Sequence, residues 1–227
     1  MNDLRANRIA GWAGITFSLL SLCVLPLVAM APAPVLGSSG AAFATYFSDH
    51  RVGFLVGNYL GIAAFGPGLV QLVILASRFR RAEGPDGWFG TLVLVTGVFG
   101  YSVFACSLAI FQVMPFLIVP TAHDGAHAMG ALATTWFSLD GLVALPFVLA
   151  VAWANREVSV LPAWFGRFSV ATAVTLLAMS AGSMTDHPDW LAGGGALTAV
   201  GFVMFFVWTF VIAILFWKNR AATTGAA

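Results

Sequence analysis

A lone carboxylate inside an apolar stretch offers the most chemistry in this chain. Asp140 stands in the run Thr134-Thr135-Trp136-Phe137-Ser138-Leu139-Asp140-Gly141, with no other acid between Asp124 and Glu157. An ionised carboxylate in hydrocarbon is costly, so Asp140 is expected either to carry a proton or to face a polar cavity. In both cases it has a proton to give or to take. The expected polar companions are Asn58, Gln112 and Tyr101. The first two fall in the outer halves of their own apolar stretches, and Tyr101 shares a helical face with Gln112 because eleven residues make close to three turns. Gln71 is read as a group that ties two helices together. The plainer alternative for Asp140 is the same role, a hydrogen bond that holds two helices in register.

A second set of polar residues lies between the apolar stretches. Asp49-His50, His123-Asp124 and Asp186-His187 each place an acid beside an imidazole, and His127 and Asp189 are close by. Imidazole and carboxylate together suit a divalent metal, with His50, His123 and His187 as the candidate ligands, or an acid/base group working near neutral pH. No compact ligand spacing of the HExxH kind supports a metal, and solvated loops account for the same residues. No phosphate-binding glycine loop, nucleophile elbow or cluster of paired acids is present, so no cofactor is expected. Cys23 and Cys106 lie singly in apolar runs and are read as packing residues.

These residues need elements to hold them, and composition says what the elements are. Hydrophobic residues make up 60% of the 227 and charged residues only 8%, against about 25% charged in a soluble domain. The chain is therefore expected to be all-α, an integral membrane bundle forming one domain over residues 1–227. Six stretches reach the roughly 20 residues that a helix needs to cross a bilayer: 9–30, 52–77, 88–115, 129–153, 164–182 and 191–217. The first exceeds a signal-peptide core, and its possible cleavage points after Ala31 and Ala33 precede prolines, so it is read as a retained helix. On this reading Asp140 sits near the middle of the bilayer.

Orientation follows from the basic residues. Arg5, Arg8, Arg78, Arg80, Arg81, Arg156, Arg167, Lys218 and Arg220 fall on one side and only Arg51 on the other, which predicts a cell-membrane protein with both termini in the cytoplasm. A spaced motif recurs as Gly11-Trp12-Ala13-Gly14, Gly87-Trp88-Phe89-Gly90 and Ala163-Trp164-Phe165-Gly166, successive copies 76 residues apart. It suggests three helical hairpins, with glycine allowing close helix approach and tryptophan anchoring at the interface.

A net charge of +1 without a basic patch excludes nucleic acid as a partner and leaves the lipid bilayer. Three functions fit a buried acid among twenty phenylalanines and eight tryptophans. The first is an enzyme acting on an apolar, lipid-soluble small molecule, with acid-initiated isoprenoid cyclisation as its specific form: Asp140 protonates an alkene or epoxide and ring faces stabilise the cation. Small integral-membrane terpene cyclases are similar in size and helical make-up, although no motif of theirs is matched residue by residue. The second is a proton- or cation-coupled transporter or channel, in which a homo-oligomer would supply polar groups that one chain lacks. The third is a non-catalytic membrane subunit.

Overall fold

The computed structural model describes residues 3–29, 34, 37–117, 123–184 and 196–224. Seven α-helices and one 3-10 turn account for nearly all of them, and no strand occurs among the described residues. In chain order the helices are α1 (Asp3–Ala29), α2 (Gly40–Asp49), α3 (Arg51–Glu83), α4 (Phe89–Leu117), α5 (His123–Val158), α6 (Ala163–Ala181) and α7 (Ala196–Thr224). Five of these, α3 to α7, are long and apolar enough to cross a membrane, the make-up of a multi-pass membrane protein. The first expected span corresponds to α1, which is 27 residues long and carries Arg5, Asn7 and Arg8 in its first turns.

Continuous apolar sequence with no water to satisfy backbone groups forces helix, and polar residues at the ends decide where each helix stops. Gly84 ends α3 in the left-handed region at φ 88°, where an L side chain would be strained. Glu83 then reaches across the turn to start α4, its two carboxylate oxygens accepting from the amides of Phe89 at 2.6 Å and Gly90 at 2.8 Å. A negative group at a helix N-terminus is also favoured by the helix dipole. After α5 the Asn155 side-chain oxygen accepts from the amide of Leu161 at 2.6 Å and fixes the short turn into α6.

The six long helices pack as a closed ring in the order α1, α3, α4, α5, α6, α7, with α7 returning to α1. The three expected hairpin pairs, α1 with α3, α4 with α5 and α6 with α7, are neighbours in this ring. So are α3 with α4 and α5 with α6, and packing alone does not single out hairpins. Small residues set the closest approaches. A Cβ on Gly90 would lie 2.6 Å from the Ala76 carbonyl oxygen, one on Gly14 would meet the Gln71 side chain and the Ala213 Cβ, and one on Gly11 would crowd Ala213 and Trp217. The motif glycines are not all alike, however. Gly87 makes room for the Glu83 side chain, and Gly166 has nothing within 4 Å of a built Cβ.

The outer surface is apolar. Leu19, Val73, Val95, Phe99, Leu132, Leu149, Val174 and Leu177 are all exposed, as a lipid-facing belt requires. Cys23 and Cys106 belong to this surface and not to the packed interior expected of them. Trp12, Trp88, Trp153 and Trp164 are about half exposed. Trp12 packs against Trp217 and Trp88 against Trp153, so they form an aromatic girdle at the end of the ring where the basic residues gather.

One element has no counterpart among the expected spans. Helix α2 is amphipathic, burying Phe43 and Phe47 and exposing Ala41, Ala42, Thr45, Ser48 and Asp49. Its N-cap is Ser39, whose hydroxyl accepts from the Ala42 amide at 3.2 Å. It packs on α5, α3 and α4 at the end of the ring opposite the basic residues, where Phe43, Phe47, Phe54, Phe111 and Met114 form a second, smaller core.

Candidate functional site

Asp140 lies near the centre of the apolar run Gly125–Val158 of α5 and is only 3% exposed. Its neighbour Gly141 lets α5 approach α6 closely, since a Cβ there would clash with the Leu176 carbonyl oxygen and the Ser180 hydroxyl. That contact holds the Asp140 backbone against the ring interior. Ser107 of α4 donates to Asp140 Oδ1 at 2.7 Å. Oδ2 is buried with no hydrogen-bond partner. The polar partner of Asp140 is thus Ser107, which the sequence reading did not single out. A serine in an apolar span gives little warning, because such hydroxyls usually bond back to their own helix. Ser107 also has that option, with its Oγ 3.2 Å from the Val103 carbonyl oxygen.

Asp140 lines a narrow chamber inside the ring to which all six long helices contribute. Eight aromatic rings form most of its wall: Phe17 of α1, Phe65 of α3, Tyr101 and Phe104 of α4, Phe147 of α5, and Phe202, Phe205 and Phe206 of α7. They pack mainly edge to face or tilted, as in Phe17 with Tyr101 at 5.3 Å, Phe104 with Phe202 at 5.4 Å and Phe65 with Phe104 at 5.8 Å. The free volume is about 20 Å³, enough for one water-sized molecule. Tyr101 and Asp140 thus line the same chamber.

Asn58 and Gln112 do not bond to Asp140. Phe54 stacks on Phe111 and Phe65 packs on Tyr101 and Phe104, so the antiparallel register of α3 and α4 brings Asn58 level with Ser107 and Gln112 nearer the α2 end. Asn58 Nδ2 and Gln112 Oε1 are both buried without a partner, like Asp140 Oδ2. The Thr198 hydroxyl of α7 is buried without a partner as well, and an unsatisfied buried polar atom costs about 1–3 kcal/mol. Toward the basic end the polar groups are paired instead. The Gln71 amide donates to the Thr209 carbonyl at 3.0 Å, the Ser18 hydroxyl donates to the Thr209 hydroxyl at 3.0 Å while the latter donates to the Phe206 carbonyl at 2.8 Å, and Trp208 donates to Ser169 at 2.8 Å. Gln71 is a helix tie, the role its position suggested.

The histidines divide differently. His50 bonds the Tyr46 carbonyl through Nδ1 at 2.9 Å, and His127 bonds the Ser38 carbonyl at 2.8 Å, so both rings secure the ends of α2 and its connection. Burial beside Phe47 and Phe54 raises the Tyr46 phenol to about 12, and it stays neutral at any physiological pH. No group of three metal-binding side chains occurs among the described residues. The His123 side chain and all of His187 lie outside them.

No protein-family model matches the chain, and neither curated proteins nor solved structures give a match.

Proposed function

We propose that this chain is a membrane-embedded enzyme in which Asp140 delivers a proton to an apolar, lipid-soluble substrate held among aromatic rings. The observation that carries the reading is a buried carboxyl group with one unpaired oxygen in the wall of a chamber built from eight aromatic side chains. Ser107 adds support. A hydroxyl has one proton to give and two lone pairs to offer. With Asp140 ionised, Ser107 turns its proton to Oδ1; with Asp140 protonated, the acid donates to Ser107, which turns its proton to the Val103 carbonyl. A partner that serves both protonation states is what a proton-exchanging acid needs.

The chemistry that suits this wall is acid-initiated isomerisation or cyclisation of an isoprenoid. The Asp140 proton adds to one carbon of an alkene, whose π electrons form the new C–H bond and leave a cation on the other carbon. A second alkene in the same molecule closes a ring onto that cation, and loss of a neighbouring proton to the carboxylate restores both an alkene and the acid. The reaction is balanced as an isomerisation and consumes no co-reactant. Ring faces stabilise the cation at each stage. A chamber of about 20 Å³ does not admit an isoprenoid without movement, so entry requires the rings to part. The Gly66-Pro67-Gly68 run lies within the continuous helix α3 next to Phe65 and is the natural place for that movement, since Pro67 cannot donate to the Ala63 carbonyl.

The polar arrangement favours an enzyme over a transporter. Unpaired groups lie level with Asp140 or on its α2 side, whereas the groups toward the basic end are mutually paired behind packed rings. On this reading the Asp140 proton is renewed from the α2 side, which reloads an acid but does not carry an ion across. In the membrane α1 completes a sixth span, and the basic end faces the cytoplasm of the cell membrane with both termini.

The test uses purified protein with polyprenyl alkenes and their epoxides, and product isomers read by gas chromatography and mass spectrometry. Cyclised or isomerised products from the wild type and none from Asp140→Asn support the proposal. Equal product from both rejects it. A hydrophobic carbodiimide supplies a check independent of substrate, because it adds to a protonated carboxyl in an apolar site. One adduct on Asp140, reduced when substrate is present, is the expected result.

A further inference from the structure

A second cavity opens on the outside of the ring between α4, α5 and α6, well away from the aromatic chamber. Its volume is about 790 Å³, within the range of small-molecule sites. Leu92 and Thr96 of α4, Pro146 and Leu149 of α5 and Val170 of α6 line its length. At the basic end it meets Arg156 and Arg167, beside Trp153 of the aromatic girdle. No acid lines the cavity, and neither arginine makes an ion pair or hydrogen bond among the described residues. Glu83, the acid that starts α4, has both oxygens committed to the amides of Phe89 and Gly90. An apolar groove that runs into two unneutralised guanidinium groups is complementary to one kind of molecule, a chain with an anionic head.

We infer that this groove binds an anionic phospholipid from the leaflet at the basic end, its phosphate between Arg156 and Arg167 and one acyl chain along α4, α5 and α6. Arginine suits phosphate because its planar fork offers paired N–H donors. The Ser159 hydroxyl and the Asn155 amide stand at the same mouth and add neutral donors. Asn155 is held in place by its bond to Leu161, and Ser159 by the left-handed turn it occupies at φ 50°. The third copy of the tryptophan motif explains itself here. Gly11, Gly14 and Gly90 accept a neighbouring helix, whereas Ala163 and Gly166 line the groove, and the space over Gly166 is left for the acyl chain.

The inference does not depend on the role of Asp140, and its test reads bound lipid, not turnover. Purified protein is titrated with phosphatidylglycerol, with phosphatidylcholine of the same chains and with inorganic phosphate, and retained molecules are counted by native mass spectrometry. One phosphatidylglycerol held at least about tenfold more tightly than phosphatidylcholine is expected, since each basic residue near a membrane surface contributes to anionic-lipid affinity. Two variants locate the site. R156Q with R167Q removes the charge and should abolish the preference. Gly166→Leu leaves the charge and places a side chain in the groove from a position whose Cβ has nothing within 4 Å, so it should weaken retention while the fold is kept. Undiminished retention in both variants, no preference between the two lipids, or inorganic phosphate bound as tightly as phosphatidylglycerol would overturn the inference.

Discussion

Replacing Asp140 by asparagine removes a transferable proton and almost nothing else, which makes it the sharpest substitution at the scale of single residues. Asparagine is nearly isosteric, still bonds Ser107 and is cheaper to bury than a carboxylate. The expected result is an unchanged or higher thermal midpoint, loss of turnover and loss of the carbodiimide adduct. If Asp140 only tied α5 to α4, asparagine would do the same work at a cost of about 1 kcal/mol or less, and activity would survive. Asn58 gives the complementary experiment. Its Nδ2 is buried and unpaired, so Asn58→Leu should raise stability by roughly the 1–3 kcal/mol that such an atom costs. A melting temperature that falls in this variant would show that the amide has a partner in the folded protein. The burial of Asp140 was legible in the sequence, because it is the one charged residue between Asp124 and Arg156 and stands in a mainly apolar run. Ser107 was not, since the bond joins residues 33 apart on different helices and nothing in either segment marks the other.

At the scale of helices, the repeated tryptophan motif separates into different uses. Gly90→Ala should cost about 1–3 kcal/mol, because its Cβ would be driven into the Ala76 carbonyl and the Arg80 backbone and neither can move cheaply. Gly166→Ala should be neutral or slightly stabilising, since alanine is the better helix former and nothing opposes the methyl. Thermal unfolding of the two variants in one detergent checks the contrast, and equal losses would contradict it. The positions of the long helices were readable from apolar length alone, and each of the six expected stretches corresponds to an observed helix. Helix α2 was not readable in that way. It is ten residues long, too short to span, and its two buried phenylalanines one turn apart resemble an ordinary loop until Phe54 and Phe111 are seen beneath them.

For the molecule as a whole, the asymmetry of charge predicts a direction across the membrane. A single cysteine at Ala82, in a chain whose Cys23 and Cys106 have been replaced, should be shielded from an impermeant thiol reagent in intact cells, while one at Ser48 on the exposed face of α2 should react. Labelling of Ala82→Cys from outside would reverse the orientation. The ring also has a consequence for how the protein is made. Of the seven helices described, α1 leaves the ribosome first and α7 last, yet α1 packs against α7. Gln71 finds the Thr209 carbonyl, and Ser18 the Thr209 hydroxyl, only when that helix arrives. Until then a primary amide and a hydroxyl wait in lipid or beside an insertion factor, so α7 acts as the keystone of assembly. Trp12 and Trp217 meet at 4.8 Å at the same end of the ring, which brings the first and last helices side by side. A linker joining the two termini, with the chain reopened between α3 and α4, should therefore give a permuted protein that inserts and folds, and one in which the keystone is no longer the last piece to be laid.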